Sequence, residues 1–456
     1  MSVEIAGGSS APDDAGLGVT ARLGARLAGL QWNDVTFDAA TVAKQCLLDW
    51  LGVALGGRNE PLVGILHEEF PEPGASSVIG ARRTARLQDA VLINGSLSHA
   101  LDFDDVIVVM GHPSAPVAPV ALGLAELQGA TGREALLAFI AGVETACRVG
   151  ALMGPSHYAR GWHGTATYGT FGAMAAAAKL LSLDSAQIRH AFGLAGTQAA
   201  GLKSVFGSMS KPLHPGKAAQ NGLLAARLAS RGFTSDPDIL DSDQGFAAVQ
   251  STTLDQVSAL AAHPRGFYVT EALFKYHAAC FLTHEAIDAA NALRSRHGVT
   301  TEQIAGVRVR VGPGHMGVCN IPEPRTGLEC KFSLRMTVAM ALAGEDTFQE
   351  NLFSDHTARR EDLVALRRCV TVSPDVVGEG SVVEIELRDG RTLEHRVDLM
   401  KPEMDLVAQQ ARIERKFRHL AEPAVGAAVA SRIIETCRNL EAEPDVSGLM
   451  ALCSRV

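Results

Sequence analysis

The chain is poor in aromatic residues, has no paired cysteine motif and carries no excess of positive charge. Aromatics make up 5% of its 456 residues while alanine and glycine abound, so close-packed helices are expected to form most of the body. The eight cysteines, Cys46, Cys147, Cys280, Cys319, Cys330, Cys369, Cys437 and Cys453, form no C-x-x-C. That excludes the usual zinc spacings and an iron–sulfur run, and reads as reduced, mostly buried thiols of a cytoplasmic protein. A formal net charge of -9 argues against a nucleic-acid or anionic-membrane surface. No apolar run is expected to span a membrane. Residues Met1 to Gly18 lack the basic start and apolar run of a signal peptide and predict a mobile tail. There is no G-x-G-x-x-G, no H-E-x-x-H and no nucleophile elbow. Gly216-Lys217 fails as a phosphate loop, because Lys211 stands at the earlier glycine position and Ala218 replaces the Ser/Thr. No metal ligand set and no cofactor is predicted.

What is present is a helical pattern long enough for two domains. Helices are expected over Phe37 to Leu55 with Asp38 as a possible cap, Leu87 to Ser98, Pro116 to Gln128, and from the capping box at Thr131 to about Val149. Further helices are expected over Thr170 to Leu181, from Asp184 to near Gly201, and over Ala218 to Ser230. After Gly266 the character changes. Val307 to Val311 alternates as a strand, Ser381 to Val397 reads as a hairpin turning at Asp389-Gly390, and Leu334 to Ala343 is helical between them. The expected fold is mainly α: an all-helical domain of residues 19–266 plus 405–456, with a smaller α+β lid domain of residues 267–404 inserted.

Chemistry concentrates in His99-Ala100-Leu101-Asp102-Phe103-Asp104-Asp105, closed by Gly111-His112-Pro113-Ser114 around an apolar run from Val106 to Met110. Acids and imidazoles on an irregular segment between helices suit proton transfer; a helix end with a capping Asp is the plainer alternative. His163 follows Trp162 in a Gly-rich stretch. Lys211 and His214 lie in a stretch with two prolines that reads as a polar loop. Asp102, His112, His163, Lys211 and His214 together would supply a base, an acid and cations for a carboxylate substrate. His277-Ala278-Ala279-Cys280 has no partner pair for a metal and reads as structural or substrate-facing.

These residues resemble the MmgE/PrpD family. The resemblance rests on the stretch from His99 to Ser114, Gly161-Trp162-His163-Gly164-Thr165 with Gly169-Thr170-Phe171-Gly172, and Ser210-Lys211-Pro212-Leu213-His214-Pro215-Gly216. It rests also on Cys46-Leu47-Leu48-Asp49, Thr283-His284-Glu285-Ala286-Ile287-Asp288 and Lys331-Phe332-Ser333-Leu334. It implies a helical domain with an α+β lid, a homodimer, and cofactor-free chemistry on small di- or tricarboxylates. Family activities include 2-methylcitrate dehydration, cis-aconitate decarboxylation and iminodisuccinate epimerisation. It implies a pocket containing Asp102, His112, His163 and Lys211. Val106 stands where the decarboxylases have Thr, Val108 to Gly111 replaces a polar stretch, and Cys280 falls near a lid-side His of theirs, with His277 close by.

A proton alpha to an ionised carboxylate is very weakly acidic, so the site must offer a base at the carbon and cations at the carboxylate oxygens. His112, oriented by Asp102, is the expected acid or base, with its role exchangeable with that of Lys211. Lys211 and a protonated His163 are the expected cations. His214, His277 and Cys280 are the expected substrate-binding side chains. The apolar wall puts an epimerase of the iminodisuccinate type first, a dehydratase or decarboxylase beside it, and a catalytically silent binding protein third.

Overall fold

The structure, a computed structural model, describes residues 16–454. The expected tail falls largely outside them. The body is mainly helical. Its first part runs through α1 (Val19–Gly29), α2 (Phe37–Gly57), α3 (Pro61–Glu69), α4 (Leu87–Leu97), α5 (Ser114–Gln128), α6 (Gly132–Ala159), α7 (Gly164–Leu180), α8 (Ser185–Gly196) and α9 (Ser210–Ala229). Thr36, not Asp38, caps α2: its Oγ1 accepts from the Ala39 N–H at 3.2 Å, while Asp38 sits inside the first turn near the helix's positive end. Thr131 and Glu134 form the expected box at the start of α6.

Helix α6 outruns its expected end by ten residues. Gly154, at φ 58°, kinks it without stopping it. By length and composition α6 could cross a membrane, against the expectation, but 83% of its most apolar window is buried inside the protein, so it is a core helix. Helix α7 is buried along the alanine run from Ala173 to Ala178 and touches α5, α6, α8 and α9. Small residues permit this crowding: a Cβ on Gly222 of α9 would lie 2.5 Å from the Met174 nitrogen and the Thr170 oxygen of α7. The helical body is not wholly helical. Residues Ser76–Ser77 (β1) and Thr84–Ala85 (β2) pair as a minimal antiparallel ribbon.

A four-stranded sheet forms after the helical run, in the order β4-β3-β5-β6, from Ile304–Arg310 (β3), Val370–Ser373 (β4), Ser381–Leu387 (β5) and Thr392–Val397 (β6). Strands β3 and β4 are parallel; the other pairs are antiparallel, with Val309 opposite Val383 and Ile385 opposite Leu393. Val307, Val309, Val383 and Ile385 face the helices His284–His297 and Leu334–Leu342 in a separate core. From Leu406 the chain is helical again and returns to α2, where Phe417 joins the main core. A third apolar cluster, with Leu101, Phe103, Ala278, Met336 and Leu420, ties the helical body to the sheet-bearing unit. All eight cysteines are free, and only Cys369 is not buried.

Candidate active site

The segment between α4 and α5 is irregular, and its apolar run has a structural task. Val106 and Leu273 exchange two backbone hydrogen bonds of 2.8 Å, which draws the chain beyond Leu273 against the Asp102 segment. Ile107 and Met110 are buried, and the chain turns back at Gly111, where φ is 104°. A Cβ there would lie 2.7 Å from Thr165 Oγ1, which instead accepts the N–H of His112 at 3.1 Å.

Asp102 lies at the centre. Its Oδ1 is 2.8 Å from Lys211 Nζ and 2.8 Å from Lys275 Nζ, and all three side chains are buried. Burial would raise its pKa, but Lys211 and Lys275 outweigh burial and hold the carboxyl well below the usual carboxylate range. Burial likewise disfavours the Lys275 ammonium, but Asp102 and Asp104 more than restore it. The trio of Asp102, Lys211 and Lys275 carries one net positive charge in a dry place, with the Asp104 carboxylate acting on it from further off.

Two imidazoles share the next acid. His99 Nδ1 lies 2.9 Å from both oxygens of Asp104, and His112 Nδ1 lies 3.2 Å from Asp104 Oδ2. His112 Nε2 is 3.8 Å from Asp102 Oδ1. Asp104, not Asp102, is therefore the carboxylate on His112. Asp104 is buried, yet His112 and His99 keep its carboxyl ionised well below the ordinary range. Burial pushes His99 down to about 4, so it stays neutral, with its Nε2 buried and unpartnered.

His163 stands immediately before α7, and its Nδ1 lies 2.9 Å from Nδ1 of His214 on α9. Burial and Lys211 drive His163 well below its usual range, and burial takes His214 to about 4. The expectation of a protonated His163 is thereby corrected: both rings are neutral, and Lys275 supplies the second cation. Lys211 is not in a loop. Helix α9 begins at Ser210, because Pro212 falls within the first turn, where backbone N–H groups need no helical partner.

His99, Asp102, Asp104 and His112 offer ligand atoms within 4.8 Å of one another. They do not fit a metal ion. The charge a cation would neutralise on Asp102 is already met by two ammoniums, which would repel it. The same excess suits an anion.

The MmgE/PrpD N-terminal domain matches residues 21–257 and the MmgE/PrpD C-terminal domain residues 277–442. The chain belongs to the MmgE/PrpD family. MmgE/PrpD relatives similar over almost the whole length are cis-aconitate decarboxylase of Homo sapiens, 27% identical over 462 residues (95% of this chain, 94% of that protein), and cis-aconitate decarboxylase of Aspergillus terreus, 28% identical over 484 residues (97% of each). The cis-aconitate decarboxylase-like protein oryM of Aspergillus oryzae is 28% identical over 470 residues (96% and 97%).

Within this MmgE/PrpD site the structure brings together Asp102, His112, His163, Lys211 and His214. His277 is not among them: its Nε2 lies 2.9 Å from Asp288 and its Nδ1 2.8 Å from Thr347 Oγ1, which makes it a strut of the sheet-bearing unit. Cys280 is buried, lies beside Cys319 and is close enough to Asp102, Lys275 and Lys211 to feel their charges. Lys275, Asp104 and His99 are site residues that the sequence reading did not assign.

Asp105 stands behind the site and accepts from Ser114 Oγ at 2.8 Å. Burial, with Asp49 and Asp104 adding repulsion, pushes it up to about 7. A carboxyl raised on folding gives stability that is full below its unfolded value and lost as pH rises through its folded value. Wild-type thermal stability is expected to fall between about pH 6.5 and 8.5, by on the order of 1 kcal/mol from this group. Asp105→Asn, which still accepts from Ser114, should flatten that decline in melting curves at the two pH values. An unchanged slope would assign the pH dependence elsewhere.

Proposed function

We propose that the protein is a cofactor-independent decarboxylase acting on a small unsaturated tricarboxylate of the cis-aconitate type. The observation that carries this reading is the pair of buried ammoniums, Lys211 and Lys275, converging on one oxygen of Asp102 beside His112. Relatives named as cis-aconitate decarboxylases, similar over nearly the full length, support it and favour the lyase reading over the epimerase reading suggested by the apolar wall.

The chemistry follows from charge. Loss of carbon dioxide leaves an electron pair that must spread into the neighbouring alkene and carboxylate, so cations near the retained carboxylates lower the barrier. The net charge of the Lys211–Asp102–Lys275 group supplies them without reorganising water. The pair is quenched by one proton delivered to carbon. His112 is placed to give it, since it is half-buried where His99 and His163 are buried, and its ring lies 3.2 Å from the Asp104 carboxylate. His163 and His214, both neutral, offer hydrogen bonds without further charge. The sheet-bearing unit acts as the lid: Phe332 from that unit lies 4.9 Å from the Lys211 ammonium and keeps water off it.

The test is turnover of cis-aconitate in deuterium oxide. The expected product is lighter by one carbon dioxide and carries one deuterium on carbon. Conversion of iminodisuccinate at unchanged formula, with cis-aconitate untouched, would replace the reading by epimerisation. Loss of water from 2-methylcitrate would replace it by dehydration. Tight binding with no conversion of any of the three would make the chain a binding protein.

A further inference from the structure

Three consecutive backbone carbonyls, those of Leu101, Asp102 and Phe103, each accept from a different buried lysine. Lys331 Nζ donates to Leu101 O at 2.6 Å, Lys275 Nζ to Asp102 O at 2.7 Å and Lys416 Nζ to Phe103 O at 2.6 Å. The lysines come from distant parts of the chain: the approach to the sheet-bearing unit, that unit itself, and the C-terminal helix Leu406–Val425.

A buried ammonium lowers stability unless it is paired with a charge. Lys275 has Asp102, and Lys416 has Asp49 at 2.7 Å. Lys331 makes no ion pair among the described residues; Asp102 and Glu60 act on it only from a distance, and the Phe353 ring lies 5.8 Å away. Burial pushes its pKa down to about 8, the mark of an ammonium in a costly place. Packing alone does not account for a lysine there.

The backbone it holds is unusual. Asp102 has φ 53°, a left-handed conformation that non-glycine residues rarely take. Leu101 and Phe103 bury their side chains in the apolar cluster between the two units, while the Asp102 carboxylate meets Lys211 and Lys275. The carbonyls of Leu101 and Asp102 belong to the two peptide planes that flank the Asp102 Cα. Fixing both oxygens fixes the φ and ψ of Asp102.

We propose that Lys331 is a positioning residue: with Lys275 it clamps the two peptide planes around Asp102, and so holds the carboxylate between the Lys211 and Lys275 ammoniums. Because Lys331 belongs to the sheet-bearing unit, the site has its working geometry only while that unit is docked. The activity arm of the test rests on the decarboxylase reading; the exchange arm does not.

Lys331→Met keeps the side-chain length and removes the donor, and Lys331→Arg keeps a charged donor. Lys331→Met is expected to melt as a folded protein, to lose about 10- to 10²-fold in kcat with little change in KM, and to be largely rescued by Arg. In an Asp102→Asn background it should cost little more, because its effect passes through Asp102. Amide hydrogen exchange across residues 101–104 should quicken in Lys331→Met whatever the substrate proves to be. Unchanged exchange with unchanged kcat would overturn the proposal, as would an equal loss with and without the Asp102 carboxylate. If the methionine variant does not accumulate, Lys331→Gln, a neutral and shorter donor, takes the same measurements against the same criteria. Wild-type protein that does not decarboxylate cis-aconitate would defeat the functional reading alone, since the exchange result still decides the clamp.

Discussion

Lys211→Ala is expected to lower the kcat for cis-aconitate by about 10²–10³ while the protein stays folded. Lys211 is 5% exposed, and its ammonium is one of two on Asp102 Oδ1. Removing it does not strand a buried charge, because Lys275 still neutralises the carboxylate. What disappears is the surplus positive charge, and with it the preorganised attraction for the substrate and for the charge that develops as carbon dioxide leaves. The stem of Lys211 also packs beside Phe332 and Phe206, so some stability is lost with it. Lys211→Met, which restores most of that packing, separates the two effects: its melting temperature should recover while its turnover does not. Near-normal turnover in either variant would show that Lys275 alone carries the electrostatic work.

Much of this site was legible because the family-like stretches concentrate unusual residues in apolar surroundings. Asp102, His112, His163, Lys211 and His214 stood out that way, and the fold brings all five together. Lys275 did not stand out. It lies alone in Leu273-Phe274-Lys275-Tyr276, and what places it is the pairing of Val106 with Leu273, a contact between positions far apart in the chain. The flanking Phe274 and Tyr276 were the available signal, since a lysine inside an apolar segment needs a charged partner. Lys416 stands among Arg412, Arg415 and Arg418, and nothing in that run of cations marks the one that is buried. Three acids in four residues, Asp102, Asp104 and Asp105, could not be told apart by spacing. Their roles depend on backbone direction: Asp102 turns left-handed toward the lysines, Asp104 faces two histidines, and Asp105 points back to Ser114.

The fold was easier to read than the site, because helices and strands announce themselves by local period. The hairpin over Ser381 to Val397 and the helix Leu334–Leu342 lie where alternation and capping place them. The differences are equally local. Two prolines made the start of α9 look like a loop, although Pro212 is tolerated in a first turn. Helix α6 was expected to end near Val149 but continues through a kink at Gly154-Pro155, beyond which only His157 is buried.

His112→Gln is expected to cost about 10²–10⁴ in kcat, with KM little changed, if His112 delivers the proton to carbon. Asp104→Asn should cost less, and Asp102→Asn should act by a different route. The order follows from distance: Asp104 Oδ2 is 3.2 Å from His112 Nδ1, whereas Asp102 Oδ1 is 3.8 Å from Nε2 and is already taken by two lysines. An asparagine at 104 keeps an acceptor for one ring but removes the negative charge 3.2 Å from His112, so turnover should fall while the fold is kept. An asparagine at 102 leaves two buried ammoniums without their counter-ion, so its first effect should be on thermal stability and on the placement of Lys211. Melting curves and kcat–pH profiles of the three variants, measured on the same substrate, separate these routes. If Asp102→Asn shifted the acid-limb or alkaline-limb pKa of kcat with no loss of stability, and Asp104→Asn did not, then Asp102 would be the group that exchanges the proton, and His112 would be its support.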